Sequence, residues 1–110
     1  WMDAKGAQGA WSPRGNRAVD IQALWYTALQ IAARFSTDEK QARFWQRKAK
    51  TLKNNFLTFF WNDSLRCLFD HLKENSLADR AVRPNQIFAV TIPDLSGIIP
   101  LLPPDKQRQV

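Results

Sequence analysis

The spacing of apolar positions after residue 18 is the clearest structural signal in the chain. Over residues 19 to 34 and just beyond, apolar side chains recur three and four residues apart, at Ile21, Leu24, Trp25, Ala28, Leu29, Ala32 and Phe35. This spacing places them on one face of a helix, because an α-helix turns once every 3.6 residues. The pattern predicts a first helix over residues 19–34 whose apolar face packs into a core.

A second helix is predicted from Ser36 to about Phe60. Ser36 stands three residues before Glu39, the spacing of a capping box in which each side chain bonds the other's backbone N–H. One side of this helix carries Ala42, Trp45, Ala49, Leu52, Phe56 and Phe59. The basic residues Lys40, Arg43, Arg47 and Lys50 repeat on roughly the opposite side, which indicates a solvated face.

A third helix is predicted from Pro84 to Ile92. Proline favours the first helical position and disfavours helix in the residue before it, and Pro93-Asp94 should end the segment. Pro103-Pro104 introduces one further helix near the end of the chain.

The segments between these helices have the composition of loops and turns. Residues 1–17 hold three of the four glycines and show neither helical nor strand periodicity, which indicates a long functional or connecting loop. Asn62-Asp63 is typical of a turn, and residues 66–72 read as a short extended or irregular piece before a charged loop. No strand is predicted with any strength, so the fold class is all-α.

The length and composition are those of a single globular domain spanning residues 1–110. The chain has 110 residues, and 45% of them are hydrophobic, which is enough for a packed core. It opens on Trp1 and closes on what resembles the start of a helix, so we expect a segment of a longer protein. Antiparallel helix pairs build bundles, solenoids and α/α barrels, and periodicity alone does not separate these.

Charge and cysteine content narrow the class of protein only slightly. The formal charge of +6 suits nucleic acid, an anionic membrane surface or an acidic partner. Cys67 is the single cysteine, which excludes an intrachain disulfide and multi-cysteine metal motifs and makes a reduced, cytoplasmic location the default expectation. The longest apolar runs, such as Ile98 to Leu102, are far below the roughly 20 residues of a membrane span. His71 and Cys67 have no partners at catalytic or metal spacing and are interpreted as structural.

Several polar residues are predicted to meet at one end of the helices. In a succession of antiparallel pairs, alternate helices are parallel, so the first and third helices should begin at the same end. Together with the loop at residues 1–5, these helix starts would bring together Trp1, Asp20, Gln22, Trp25, Arg83, Asn85 and Gln86. Indoles, amides and a carboxylate are the side chains of a carbohydrate site.

Structural roles are available to the same residues. Asp20 and Gln22 suit the first turn of a helix, where polar side chains face the positive end of the dipole. Trp25 shares a face with Ile21 and Leu24 and suits a core position better than a sugar platform. Arg83, Asn85 and Gln86 suit a helix start held by a proline.

Four ordered motifs resemble the C-terminal glucosidase domain of glycogen debranching enzymes. They are Trp1-Met2-Asp3-Ala4-Lys5, Pro13-Arg14, the segment VDIQALWYTAL at residues 19–29 and the segment RPNQIFAV at residues 83–90. The resemblance implies an (α/α)6 barrel related to glucoamylase, of which about four or five helices would be present, and inverting hydrolysis of α-1,6-linked glucose in glycogen-like glucans. The family commonly has Glu at Asp20 and Asn at Thr27, and both departures are mild.

The resemblance also implies roles for individual residues. Asp3 would be the general acid, and the general base would lie beyond Val110, so this chain alone would be inactive. Substrate contacts are expected from Trp1, Lys5, Asp20, Gln22, Trp25, Arg83, Asn85 and Gln86, with a glucan or oligosaccharide as the partner and without a metal or cofactor. A partial barrel would expose apolar faces, around Trp45, Phe56, Phe59 and the run at 98–102, and would self-associate.

Two alternatives stay open at this point. One is another glycosidase of the same barrel type, such as a trehalase-like or oligosaccharide glucosidase. The other is a small basic helical module for nucleic acid or a protein partner, which would use the basic face of the second helix. In a barrel that face is the solvent side of an outer helix.

Overall fold

The computed structural model describes residues 4–11, 13–15 and 17–110, and this part of the chain is mostly helical. Its helices are α1 (Val19–Phe35), α2 (Glu39–Phe60), α3 (Phe88–Leu95) and the short α4 (Pro104–Gln107), with a 3-10 helix (Pro84–Ile87) before α3. Its strands are β1 (Lys5–Gly6), β2 (Gly9–Ala10), β3 (Trp61–Asn62) and β4 (Cys67–Leu68). A largely helical domain agrees with the predicted class, and the two small sheets add to it.

Helix α1 has the predicted extent, but the prediction of its buried face is wrong at every position except Leu29, which is buried, and Ala32, which is half-buried. The buried positions are Val19, Ala23, Tyr26, Thr27, Leu29 and Ala33. Ile21, Leu24 and Trp25 are about half exposed, with Trp25 at 53%, and Phe35 is more exposed still. The cause is the packing partner, because α1 meets α2 and α3 along a strip that includes small alanines, and most of the apolar stripe faces away from both.

Helix α2 ends at Phe60 as predicted but begins later and with a different cap. Asp38 is the N-cap, and its carboxylate accepts a hydrogen bond of 3.0 Å from the backbone N–H of Lys40. The hydroxyl of Ser36 instead donates to the carbonyl of Ala32, 2.6 Å away, at the end of α1. The capping-box prediction is therefore wrong, because Asp38 is itself a favourable N-cap residue and lies next to the helix start.

The sidedness of α2 largely follows the sequence pattern. Ala49, Phe56 and Phe60 are buried, and the rings of Phe56 and Phe60 stack with centroids 5.0 Å apart. Phe59, predicted on the buried side, is half exposed. The four basic positions are exposed as predicted, so they form the solvent side of the helix.

A tight hairpin follows α2 at the predicted turn. Trp61 pairs with Leu68 and Asn62 with Cys67 in antiparallel register. The side-chain oxygen of Asn62 accepts hydrogen bonds from the backbone N–H groups of Ser64 and Leu65, which fixes the turn locally. Strands of two residues are too short to show alternation in a sequence.

A second hairpin, of β1 and β2, lies within residues 1–17, which were predicted as a loop. The backbone N–H of Trp11 closes it by donating to the carbonyl of Ala4 at 2.9 Å.

The third helix starts at the predicted proline but in 3-10 form, and it passes the predicted end. Helix α3 continues through Pro93 to Leu95. Proline removes one backbone donor, yet only two residues of α3 follow it, so little of the hydrogen-bond ladder is affected. Gly97, with φ of 60°, then reverses the chain beyond the helix.

The core lies between α1, α2 and the chain after α3. It joins Val19, Ala23, Tyr26 and Leu29 to Ala49, Phe56, Phe60, Leu68, Leu72, Ala89, Leu101 and Leu102. Leu101 and Leu102 were expected to be exposed by a partial barrel, but both are buried, and the exposed residues of that run are Ile99 and Pro100. The hydroxyl of Tyr26 donates to the carbonyl of Ile99 at 3.0 Å and ties this run to α1.

Helix α1 and the 3-10/α3 unit run in the same direction, as predicted. Asn85 contacts Asp20 near both starts, and α3 then packs against α1 beyond them. The N-terminal ends of the two units therefore lie together, and the functional side chains on them meet there.

Candidate functional site

Seven polar and charged side chains gather where α1 and the 3-10 helix begin. We call them the Arg14 cluster, and its members are Arg14, Asp20, Asp70, His71, Asp79, Arg83 and Asn85. They come from the first loop, from α1, from the segment after β4 and from the start of the 3-10 helix. The cluster contains two guanidinium groups and three carboxylates, so its charges are nearly balanced.

Arg14 links two carboxylates that lie far apart in sequence. Its Nε donates to Asp70 Oδ2 at 2.8 Å. Its two terminal nitrogens lie 3.0 Å from Asp20 Oδ2 and 2.8 Å from Asp20 Oδ1. Arg14 is buried, and desolvation lowers its pKa, but the hydrogen bonds and charges of Asp20 and Asp70 outweigh that effect, so the pKa is raised. The guanidinium therefore stays charged and holds both carboxylates.

Asp70 lies at the centre of the cluster with a fully buried side chain. Its Oδ2 accepts from Arg14, from Arg83 Nη1 at 2.9 Å and from His71 Nδ1 at 3.1 Å. Its backbone carbonyl accepts from the N–H of Val19 at 2.9 Å, at the first residue of α1. Its Oδ1 has no hydrogen-bond partner among the described residues. One residue thus connects the first loop, the start of α1 and the approach to the 3-10 helix.

Asp79 completes the cluster on the side of Arg83 and His71. Its Oδ1 accepts from the N–H of Ala81 at 2.8 Å, and its Oδ2 lies 3.4 Å from Arg83 Nη1 and 3.6 Å from His71 Nδ1. The backbone hydrogen bond from Ala81 is the main reason that the pKa of Asp79 is lowered, and Arg83 acts in the same direction. Asp79 is therefore ionised at neutral pH.

Asp20 is partly open to solvent. Its side chain is 14% exposed, against 24% for Asp79 and 0% for Asp70. Burial raises the pKa of Asp20, but the hydrogen bond and charge of Arg14 and the backbone N–H groups at the start of α1 outweigh it, so the pKa is lowered. An ionised carboxylate of this kind accepts hydrogen bonds from hydroxyl groups and repels other negative charge.

The structure brings together three of the residues that the sequence proposed for the site. Asn85 is buried, and its Nδ2 lies 3.4 Å from Asp20 Oδ2. Arg83 joins through Asp70 and Asp79. Through these three contacts Asp20, Arg83 and Asn85 meet at one end of the helices, as predicted.

Other proposed residues lie apart from the cluster. Gln86 is buried, and its Oε1 accepts from the backbone N–H of Leu68 at 3.0 Å, which ties the 3-10 helix to β4. Gln22 lines a separate groove of about 300 Å3 between α1 and α2, together with Phe56 and Phe59. Trp25 and Lys5 are exposed, Trp25 on the open face of α1 and Lys5 in the first hairpin. Trp1 and Asp3 lie outside the described residues.

Sequence reasoning missed the centre of the cluster. Asp70, His71 and Asp79 fall in a stretch without periodicity, and His71 was interpreted only as a structural residue without partners at catalytic spacing. Its partners, Asp70 and Asp79, are one and eight residues away. One signal in the sequence could have indicated them. Two acidic residues and one basic residue, Asp70, Asp79 and Arg83, lie in a short segment with few apolar residues just before Pro84.

The cluster opens onto a surface groove next to Arg14. This groove has a volume of about 340 Å3 and is lined by Pro13, Arg14, Gly15, His71, Leu72, Lys73 and Glu74. Within the described ranges, no three or more histidine, cysteine, aspartate or glutamate side chains are arranged to hold a metal ion. The chemistry that the described side chains offer is hydrogen bonding and charge stabilisation beside a water-accessible groove.

A comparison with protein-family models identifies the family. The model described as amylo-alpha-1,6-glucosidase matches residues 1–99 of the 110. The chain belongs to the amylo-alpha-1,6-glucosidase family. The match covers the first loop, α1, α2, the Arg14 cluster and α3, so every described member of the candidate site lies inside the family region.

The other two comparisons add no relative. Neither the curated proteins nor the solved structures give a match to this chain. Among the helices that the structure describes, none has the length and apolar character needed to cross a bilayer. The family assignment supports a glycosidase domain related to glycogen debranching.

Proposed function

We propose that the chain contributes the general-acid side of an inverting α-1,6-glucosidase site that removes branch glucose from glycogen-like glucans. Asp3 is the proposed acid, and the general base comes from outside these 110 residues. The observation that carries the proposal is the family match over residues 1–99, because it includes the segment with Asp3 and the whole Arg14 cluster.

The geometry supports a site at this end of the molecule. The first hairpin brings Ala4, the neighbour of Asp3 in sequence, back to Trp11, which stands three residues before Arg14. Three residues span at most about 11 Å, so Ala4 is held near the loop that leads to the cluster. The exposed edge of Asp20 and the groove beside Arg14 lie at the same end.

The proposed acid and the ionised Asp20 have complementary roles. A general acid must be protonated when it meets the glycosidic oxygen, and a nearby negative charge raises the pKa of a carboxylic acid. Asp20 has a lowered pKa and remains charged, so it suits hydrogen bonding to sugar hydroxyls and electrostatic support of a protonated neighbour. In an inverting enzyme the base stands about 6.5 to 9.5 Å from the acid and activates water.

The direct test uses the intact enzyme that contains this chain and an α-1,6-branched dextrin. Asp3→Asn keeps the shape but donates no useful proton, so kcat should fall by about two to four orders of magnitude with KM nearly unchanged. A glucosyl fluoride, whose leaving group needs no protonation, should recover much of the rate. The 1H NMR spectrum of the first product should show β-glucose, as inversion of an α-linkage requires.

Controls separate this proposal from its neighbours. Asp105→Asn changes an exposed carboxylate on α4 and should leave kcat at the wild-type level. Turnover of trehalose in preference to branched dextrin would point to the trehalase-like alternative. Near-normal turnover by Asp3→Asn, or a first product of α-glucose, would contradict the proposal.

A further inference from the structure

We infer that Asp70 is the positioning residue of this site: its buried carboxylate orients Arg14, and through Arg14 it fixes the carboxylate of Asp20. The inference rests on the proposed function only in assigning Asp20 to the substrate end of the cluster. It assigns Asp70 no contact with substrate.

The planar guanidinium of Arg14 is what transmits the orientation. Its donors form a rigid fork, so the direction of one edge determines the direction of the other. Asp70 Oδ2 holds the Nε at 2.8 Å, and the Asp70 carbonyl lies 3.3 Å from Nη2. With those positions fixed, both terminal nitrogens face the two oxygens of Asp20.

Burial divides the roles of the two carboxylates. The side chain of Asp70 is fully buried, whereas that of Asp20 is partly exposed. A solute at the surface can therefore meet Asp20 but not Asp70. Asp70 therefore acts on Asp20 through Arg14, as a positioning residue does.

Asp70 also has a second arginine partner, which resists rotation of its carboxylate. Arg83 Nη1 binds the same Oδ2 at 2.9 Å, and Arg83 directly precedes the 3-10 helix that carries Asn85. Asn85 in turn donates to Asp20 Oδ2. Asp20 is thus reached from Asp70 along two routes, one through Arg14 and one through Arg83 and its helix.

The test measures the pKa of Asp20 by carboxyl 13C NMR in the wild type and in Asp70→Asn. The groups that face Asp20 are the Arg14 guanidinium, the neutral amide of Asn85 and the backbone N–H groups at the start of α1. If Asp70 acted only through its charge, removing that negative charge would lower the pKa of Asp20 further, because a repulsion between two carboxylates would be lost. Loss of the positioned Arg14 would raise it.

The sign of the change therefore decides between a positioning role and a merely electrostatic one. We expect the pKa of Asp20 in Asp70→Asn to rise toward its ordinary value of 3.8. Asp63→Asn, which alters a carboxylate in the β3–β4 turn, is the matched control and should leave it unchanged. An unchanged or lower pKa of Asp20 in Asp70→Asn would overturn the inference.

A measurement on the unmutated protein covers the case in which Asp70→Asn does not fold. The Nε–H of Arg14 is buried against Asp70, so its hydrogen exchange with solvent should be much slower than that of the exposed Arg43. Equal exchange rates at the two arginines would overturn the inference. Neither measurement depends on hydrolysis, so both can be interpreted even if the proposed activity is wrong. Conversely, a negative result in these two measurements would not refute the proposed activity, which Asp3→Asn tests separately.

Discussion

The side-chain nitrogen of Asn85 lies 3.4 Å from Oδ2 of Asp20, although 65 residues separate them in sequence. This contact joins the first turn of the long α1 helix to the 3-10 helix that opens the third helical unit. Because both residues belong to helix starts, the contact requires that the two units begin at the same end. The polar residues of the site meet for this reason.

Arg14→Met should lower the free energy of unfolding by about 3 to 5 kcal/mol, because it leaves buried carboxylates without their cation. Both Asp20 and Asp70 lose a charged partner. Urea denaturation followed by circular dichroism measures the change. Arg43→Met, which removes an exposed pair with Glu39 on α2, is the control and should cost less than about 0.5 kcal/mol. Equal effects of the two substitutions would show that the Arg14 cluster contributes no special stability.

The stability of the fold should decline as the pH falls below about 4. Asp20 and Asp79 have folded-state pKa values below the ordinary value of 3.8, so the unfolded chain binds protons first as the pH drops. Their stabilising contribution is complete above 3.8 and is lost as the pH falls through the lower, folded-state values. Urea midpoints measured from pH 6 to pH 2 test this. The double variant Asp20→Asn, Asp79→Asn should show a weaker pH dependence, and an unchanged slope would contradict the assignment.

Tyr26→Phe should destabilise the protein by about 1 kcal/mol, because the buried hydroxyl donates to Ile99 and accepts from Gln30. The neighbouring Thr27 is a matched control, since its buried hydroxyl has no partner among the described residues. Thr27→Val should leave the stability unchanged or raise it. Thermal and urea unfolding measure both, and a similar loss for the two variants would mean that the Tyr26 hydrogen bonds contribute nothing specific.

We propose that the 110-residue chain self-associates through the open face of α1. The sequence predicted this behaviour from Phe56, Phe59 and the run at 98–102, but Phe56, Leu101 and Leu102 are buried. The structure instead exposes apolar side chains on one face of α1, at Ile21, Leu24, Trp25, Ile31 and Phe35. Sedimentation at micromolar concentration should detect the association, because exposed apolar patches favour it. Leu24→Gln combined with Trp25→Gln should weaken it, whereas Leu95→Gln at the end of α3 should not. A wild-type chain that sediments as a monomer would rule out the proposal.

Local patterns predicted the extents of the helices well. The 3.6-residue spacing located α1 and the end of α2, and Pro84 marked the start of the third unit. The start of α2 was mispredicted because two local signals competed there. Ser36 and Asp38 were both suitable caps, and the bond that Ser36 makes to Ala32 left Asp38 as the N-cap.

The candidate site was predictable at its helix starts and not at its centre. Asp20, Arg83 and Asn85 could be placed together because the relative direction of helices follows from antiparallel succession. Gln22 and Gln86 were proposed for the same site, but their side chains reach the groove at Phe56 and the N–H of Leu68. The direction of a side chain around its helix depends on the packed neighbours.

The sequence by itself determined the family, the helical class and the presence of a polar set at two helix starts, because these depend on residue types and their local spacing. Only the tertiary structure decided that Asp70 holds Arg14 across 56 residues and that α1 buries Tyr26 while it exposes Trp25. A long-range ion pair and the choice of a buried face depend on which elements pack together. That choice is made by the whole chain, through the burial of all its apolar surface at once.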